Sequence, residues 1–211
     1  MLKYFKSFIL VAVVMLFGCS NVTEDNAPNN GNLNEEFRDS EQVQKDEREF
    51  ARKRQEMIAD GWNDKKITNG VLPNCYNFSP KYSNIDNSLN IIVGGGTDVA
   101  IKLMNLENNE CIRYVFVHSG TSYKIKKIPE GVYYLKIAYG KDWLSRIVEG
   151  RCVGKFIRNP NYEKGDDLFD FNLTKTNEGI SIPSYQLHLD VKTSNSSTFE
   201  SSSISESEFN Q

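Results

Sequence analysis

Between residues 89 and 139 apolar and polar positions alternate with a period of two. Val99, Ile101 and Leu103 fall on one side of an extended chain, as do Tyr123 with Ile125, then Tyr133, Leu135 and Ile137, and further on Leu187, Leu189 and Val191. Successive side chains of a strand point to opposite faces, so each run offers one apolar face and one wet face. The pattern predicts strands over 89–93, 98–105, 111–118, 122–128, 132–139, 168–173 and 185–191. Asn108-Asn109, Ser119-Gly120 and Pro129-Glu130-Gly131 punctuate them as turns. No helix-period segment interrupts 89–139, which disfavours an α/β fold. The expected class is all-β: an antiparallel β-sandwich of about seven strands.

A different pattern occupies residues 34–60, which are rich in Glu, Gln, Lys, Arg and Ala and contain neither Gly nor Pro. They predict a single charged α-helix, with Asn34 as N-cap and Gly61 in left-handed conformation at its end. Val43, Phe50 and Met57 recur every seven residues, a stripe too thin for a coiled coil. Such a helix is either a solvated spacer docking on the domain through Phe50 and Ile58 or a partner-binding element. Residues 61–90 mix turn dipeptides such as Asn69-Gly70 and Leu72-Pro73 with Trp62, Tyr76, Phe78 and Tyr82. That combination indicates an ordered, irregular lead-in packed over the sandwich. The globular block is therefore 61–192, and residues 193–211, with eight serines, three glutamates and no base, read as a disordered tail.

The N-terminus has the order of a secretory signal: Lys3 and Lys6, an apolar run over 8–17, then Gly18 directly before Cys19. Ten apolar residues fall well short of the roughly 20 that span a bilayer. Leu16-Phe17-Gly18-Cys19 resembles the lipobox of bacterial lipoproteins, with Phe17 a mild departure. The resemblance implies removal of residues 1–18, acylation of Cys19 by palmitate-type chains, and a flexible Asn-rich tether over 19–33. Two or three chains anchor stably, because each buried methylene contributes about 0.8 kcal/mol. An Asp after the cysteine retains such proteins in the inner membrane of enterobacteria; Ser20 stands there, which implies the outer membrane of the cell envelope.

Charge adds little about partners. Residues 19–60 hold 6 basic and 11 acidic side chains, and 61–192 hold 17 and 14. Nothing in that balance suggests nucleic acid.

Tyr123-x-Ile125-x-x-Ile128-Pro129-x-Gly131-x-Tyr133-x-Leu135-x-Ile137 resembles the hairpin of carboxypeptidase-regulatory-like, or transthyretin-like, β-sandwich domains. Pro129 fixes one backbone angle, Gly131 permits a positive one, and Tyr133 packs across the turn. The lipobox, tether and small sandwich together are similar to lipoproteins of Bacteroidota. Such domains are commonly non-catalytic, so the resemblance implies a binding or scaffolding module; the alternative is an accessory subunit of an envelope enzyme or transport complex engaged through its helix.

Candidate chemistry is sparse. Of Cys75, Cys111 and Cys152, the expected disulfide is Cys111–Cys152, since both flank sandwich strands, with Cys75 left as a thiol. Their spacing fits no zinc site, and no cofactor motif is present. Adjacent His118 and Ser119 would point to opposite faces, which argues against a nucleophile with its base. Glu163, Asp166, Asp167 and Asp170 do not follow a calcium-loop spacing and read as a solvated turn. Tyr139, Asp142, Trp143 and Arg146 are the candidate recognition surface, two aromatic faces with one acid and one base, suited to a glycan or an extended peptide of another envelope protein. The competing reading makes Trp143 a plug capping the sandwich.

Overall fold

The computed structural model describes residues 30–72, 75–189 and 199–211. The signal and lipobox, with Cys19 and residues 20–29 of the tether, lie outside them, as do Pro73, residues 190–192 and the first part of the tail. Strands take 47% of the chain and helices little, so the all-β expectation stands at that level. The chain divides between Gln44 and Lys45 into two units. The first contributes only the N-terminal part of α1 (Asn30–Ala59) to the described residues. Asn34 therefore lies inside the helix instead of capping it, because the polar residues before it continue the helical backbone from Asn30. Gly61 ends the helix with φ +88°, as expected of a C-terminal glycine.

The second unit holds the sheets. β1 (Ser88–Val93) lies between β4 (Ser122–Lys126), antiparallel, and β10 (Ser184–Leu189), parallel. A larger sheet runs β11 (Ser201–Ser203), β6 (Arg151–Gly165), β5 (Val132–Val148), β2 (Asp98–Asn105), β3 (Cys111–Val117), with β7 (Phe169–Asp170) pairing β5. β8 (Thr174–Thr176) and β9 (Gly179–Ser181) form a separate ribbon. One apolar cluster joins both larger sheets: Leu89 and Ile91 of β1, Ile125 of β4 and Leu187 of β10 meet Ile101, Leu135 and Ile137. Of these, Ile101, Ile125, Leu135, Ile137 and Leu187 are residues the period of two singles out. At the hairpin before β5, the Tyr133 hydroxyl donates to the Pro129 carbonyl at 3.1 Å, and Gly131 takes φ +143°. The buried Asn87 amide clamps the same turn, donating to Ile128 O at 2.8 Å and accepting from Ile128 N at 2.7 Å.

Two expectations are corrected here. β5 does not stop at Tyr139 but runs on to Val148 and pairs with β6, a strand whose Gly154 and Pro160 break any alternation. Pro160 fits because the pairing shifts there: Tyr139 faces Asn161 and Lys141 faces Arg158, so a missing N–H costs no ladder bond. The tail is ordered over 199–211. β11 pairs with β6, and α2 (Glu206–Asn210) starts at a capping box in which Ser205 and Glu208 exchange hydrogen bonds. Phe209 is fully buried and holds this helix on the larger sheet. Serine-rich composition hides both features.

The outer face of the larger sheet is thus buried too. Tyr114, Phe116, Ala138, Trp143 and Phe156 meet Ile67, Leu72, Tyr76 and Phe78 of the lead-in on one side and Phe209 on the other.

Candidate functional site

The expected recognition residues do not converge. Tyr139 is 6% exposed and belongs to the core between the sheets, where burial raises its hydroxyl pKa well above the ordinary value. Trp143, four residues on, would share its face on a regular strand. The bulge at Gly140 and Lys141, with Asp142 at φ +56°, turns Trp143 to the outer cluster, where it is 8% exposed against Phe156 at 4.8 Å. Asp142 accepts from Arg158 Nε at 3.1 Å. Arg146 donates to Asp60 Oδ2 at 2.6 Å with its guanidinium over the Trp62 ring. Trp143 packs on the outer face of the larger sheet; Asp142 and Trp143 line one cavity of about 280 Å³, and Tyr139 and Arg146 are outside its lining.

The disulfide is Cys75–Cys152, with Cα atoms 5.4 Å apart, and Cys111 is the free thiol. Cys111–Cys152 is excluded by sheet order: β5 and β2 stand between β3 and β6, a separation of about 14 Å at strand spacing against the roughly 7 Å a bridge allows. The Cys111 thiol donates to Arg113 O at 3.1 Å, and burial pushes its pKa up to about 11, which makes it inert.

His118 and Ser119 serve a turn. His118 Nε2 sits 2.7 Å from Ile67 O, Ser119 N donates to Asp98 at 2.8 Å, and Ser119 Oγ accepts from Gly96 N at 2.8 Å. The carboxylates of the acidic turn are spread over separate partners, Glu163 on Asn161 and Ser201, Asp170 on Asn172. Among the described residues no three His, Cys, Asp or Glu side chains are placed to hold a metal ion.

The structure offers instead a groove that single residues of the sequence do not announce. β3 ends one sheet and β4 another, joined only by the turn after Val117. Between these two edges lies a cavity of about 470 Å³. Val115, Tyr123 and Ile125 form its floor, and Leu72, Phe78 and Tyr82 of the lead-in form its far wall. Arg113 closes one end: its guanidinium donates to Ile112 O at 2.9 Å and Lys127 O at 3.1 Å and lies 3.9 Å over the Tyr82 ring. It is 4% exposed with no carboxylate partner among the described residues, and desolvation draws its pKa down. Lys124, Lys126 and Lys127 belong to the same lining, which contains no acid, and form no ion pair among the described residues.

Chemically this is a slot with an apolar floor, aromatic walls and a cationic rim. The Lys124-x-Lys126-Lys127 run was its one visible signal. The lead-in wall comes from more than 30 residues upstream, so no local pattern could reveal it.

Compared with known proteins, the chain matches no family model, no curated protein and no solved structure.

Proposed function

We propose that this chain is a lipid-anchored module of the bacterial cell envelope, held through Cys19 in the outer membrane, that binds another envelope component without catalysing a reaction on it. The anchor rests on the lipobox resemblance of Leu16-Phe17-Gly18-Cys19. The two sheets sharing one core, with the Pro129 to Tyr133 hairpin, support a two-layer sandwich of the carboxypeptidase-regulatory-like kind. The observation that carries the binding role is the acid-free groove between β3 and β4. An apolar cavity with convergent charge is where a ligand gains most.

The experiment has two arms. Growth with a clickable fatty acid labels the wild type and leaves Cys19→Ala unlabelled; equal labelling of both ends the anchored reading. A photoreactive side chain at Tyr82, which lines the groove yet is 66% exposed, forms adducts in intact cells. Reversing the rim charges, as in Lys124→Glu with Lys126→Glu, suppresses those adducts while a probe at Val43 on α1 is unaffected. Adducts insensitive to the rim end the binding reading.

A further inference from the structure

The groove is bounded by two strand edges whose backbone groups face it. On β3 the partners of β2 are Val99 with Val117, Ile101 with Val115 and Leu103 with Arg113. Even-numbered β3 residues point their N–H and C=O the other way, as Phe116 O and Ile112 O demonstrate by accepting from Gly70 N at 2.8 Å and Lys81 N at 3.1 Å. On β4 the odd residues face β1, since Lys127 N donates to Asn87 O and Val93 N to Thr121 O, so Lys124 also points outward.

Among the described residues the backbone of the lead-in bonds β3 itself at two places, Gly70 on Phe116 and Lys81 on Ile112, and the Asn69 side chain accepts from His118 N just beyond it. Between those anchors, Leu72, Tyr76 and Phe78 pack on the outer face and Cys75 bridges to Cys152. The two anchor points on β3, Phe116 and Ile112, lie four residues apart, about 13 Å of strand. At its centre stand Tyr114 N–H and C=O, with no hydrogen-bond partner among the described residues, opposite the equally unpaired Lys124.

Resting on the reading given under Proposed function, we infer that the groove takes an extended acidic peptide segment of a partner protein, added as a strand to the β3 edge at Tyr114. The backbone decides the class. An acyl chain in this slot would strip water from Tyr114 and Lys124 and leave their amides unsatisfied, which is costly, whereas a peptide strand bonds them. The rim decides the charge: among the described residues Lys124, Lys126 and Lys127 flank the edge without a counter-ion, and the hydrogen bonds of buried Arg113 go to carbonyls. Alternate residues of such a strand would face the apolar floor of Val115 and Ile125.

The test uses the full-length chain in detergent and a short peptide of alternating valine and threonine flanked by glutamates. Its counterpart is flanked by lysines, and a third version is N-methylated at alternate amides. Amide hydrogen exchange is read residue by residue. The acidic peptide slows exchange at Tyr114 and Lys124 by about tenfold or more, and the lysine-flanked peptide binds at least about tenfold more weakly. N-methylation removes binding without touching the protein, and Lys124→Gln with Lys126→Gln weakens it while the unfolding midpoint stays put. Equal affinity for both charge versions, indifference to N-methylation, or protection elsewhere overturns the inference. So does protection of these amides by phosphatidylglycerol vesicles in place of the peptide, or protection that grows with the protein's own concentration. An acylated chain that cross-links through its rim but ignores the peptide overturns this inference alone and leaves the anchored binding module standing.

Discussion

The inner face of the larger sheet meets a second sheet; its outer face meets pieces of chain drawn from two distant places. Inside, Ile101, Leu135 and Ile137 pack against Leu89, Ile91 and Leu187, strand against strand. Outside, Tyr114, Phe116 and Phe156 lie under the lead-in and under Phe209 near the C-terminus, and the lead-in is tied down by Cys75–Cys152. The first arrangement needs only alternation. The second turns strands that would have had a wet face into strands buried on both sides, and it places a charge within them: Lys102 on β2 is under 10% exposed. A face covered by irregular segments can leave an edge uncovered, and the groove at Tyr114 is such a place.

If the outer cover is as structural as the inner core, truncating either side costs alike. Leu135→Ala inside and Phe156→Ala outside, both essentially fully buried, should each lose about 3 to 4 kcal/mol in urea unfolding. A loss under about 1 kcal/mol for Phe156→Ala would make the cover an ornament on a self-sufficient sandwich.

The bridge is the next largest effect. It closes 77 residues, for which chain entropy gives about 4.5 kcal/mol and engineered cases suggest about 2 to 4. Cys75→Ser and Cys152→Ser should lower the urea midpoint equally, and reductant should lower the wild type to match them. Cys111→Ser should change little, its thiol making one bond to Arg113 O. A large effect of Cys111→Ser, with none at Cys75, would reverse the pairing.

These differences also mark what was legible. The inner core could be read from spacing because each of its residues obeys a local rule. The turn at Pro129 could be read because Tyr133 and Gly131 carry its chemistry within five residues. β6 escaped because Gly154 admits the Trp143 ring and Pro160 sits at a register shift, so both residues that argue against a strand are there for long-range reasons. Serine-rich composition masks the ordered end, although Ser205 with Glu208 is a capping signal within four residues. The choice of cysteine partner depends on strand order, which no spacing encodes, and one bulge sends Tyr139 and Trp143, which a regular strand would keep on one face, to opposite faces.

Lys102 offers a smaller, pH-dependent comparison. Its Nζ donates to Phe209 O at 2.6 Å between the Tyr114 and Phe209 rings, and burial lowers its pKa from 10.5 to about 8, Cys111 opposing that shift and Lys136 adding to it. Between those two values the unfolded chain binds more protons than the folded one, so this lysine makes stability rise with pH from 8 upward. Cys111 acts in the opposite sense: a folded pKa of about 11 above the ordinary 9 makes stability fall beyond pH 9. From pH 8 to 9 the gain from Lys102, about 1 kcal/mol, outweighs the opposing onset from Cys111. Lys102→Met should flatten it, and Leu135→Ala should not. A wild type flat across that window would mean that the C-terminal helix leaves Lys102 in water.

The smallest effect concerns α1, whose second half borders the outer cover. Arg158 on β6 donates to both Glu47 oxygens and, through Nε, to Asp142 at 3.1 Å, with the Phe50 ring 4.0 Å from its guanidinium. Bonding to Arg158 holds the Glu47 carboxyl below its ordinary pKa of 4.5, so the contact outlasts mild acid. Glu47 is nonetheless open to solvent, and exposed pairs of this kind contribute little to global stability. Glu47→Ala should therefore leave the urea midpoint unchanged while amide exchange rises along 46–58 and stays fixed in β2 and β5. If instead the midpoint fell as far as it does on opening Cys75–Cys152, the helix would count as a third segment of the cover.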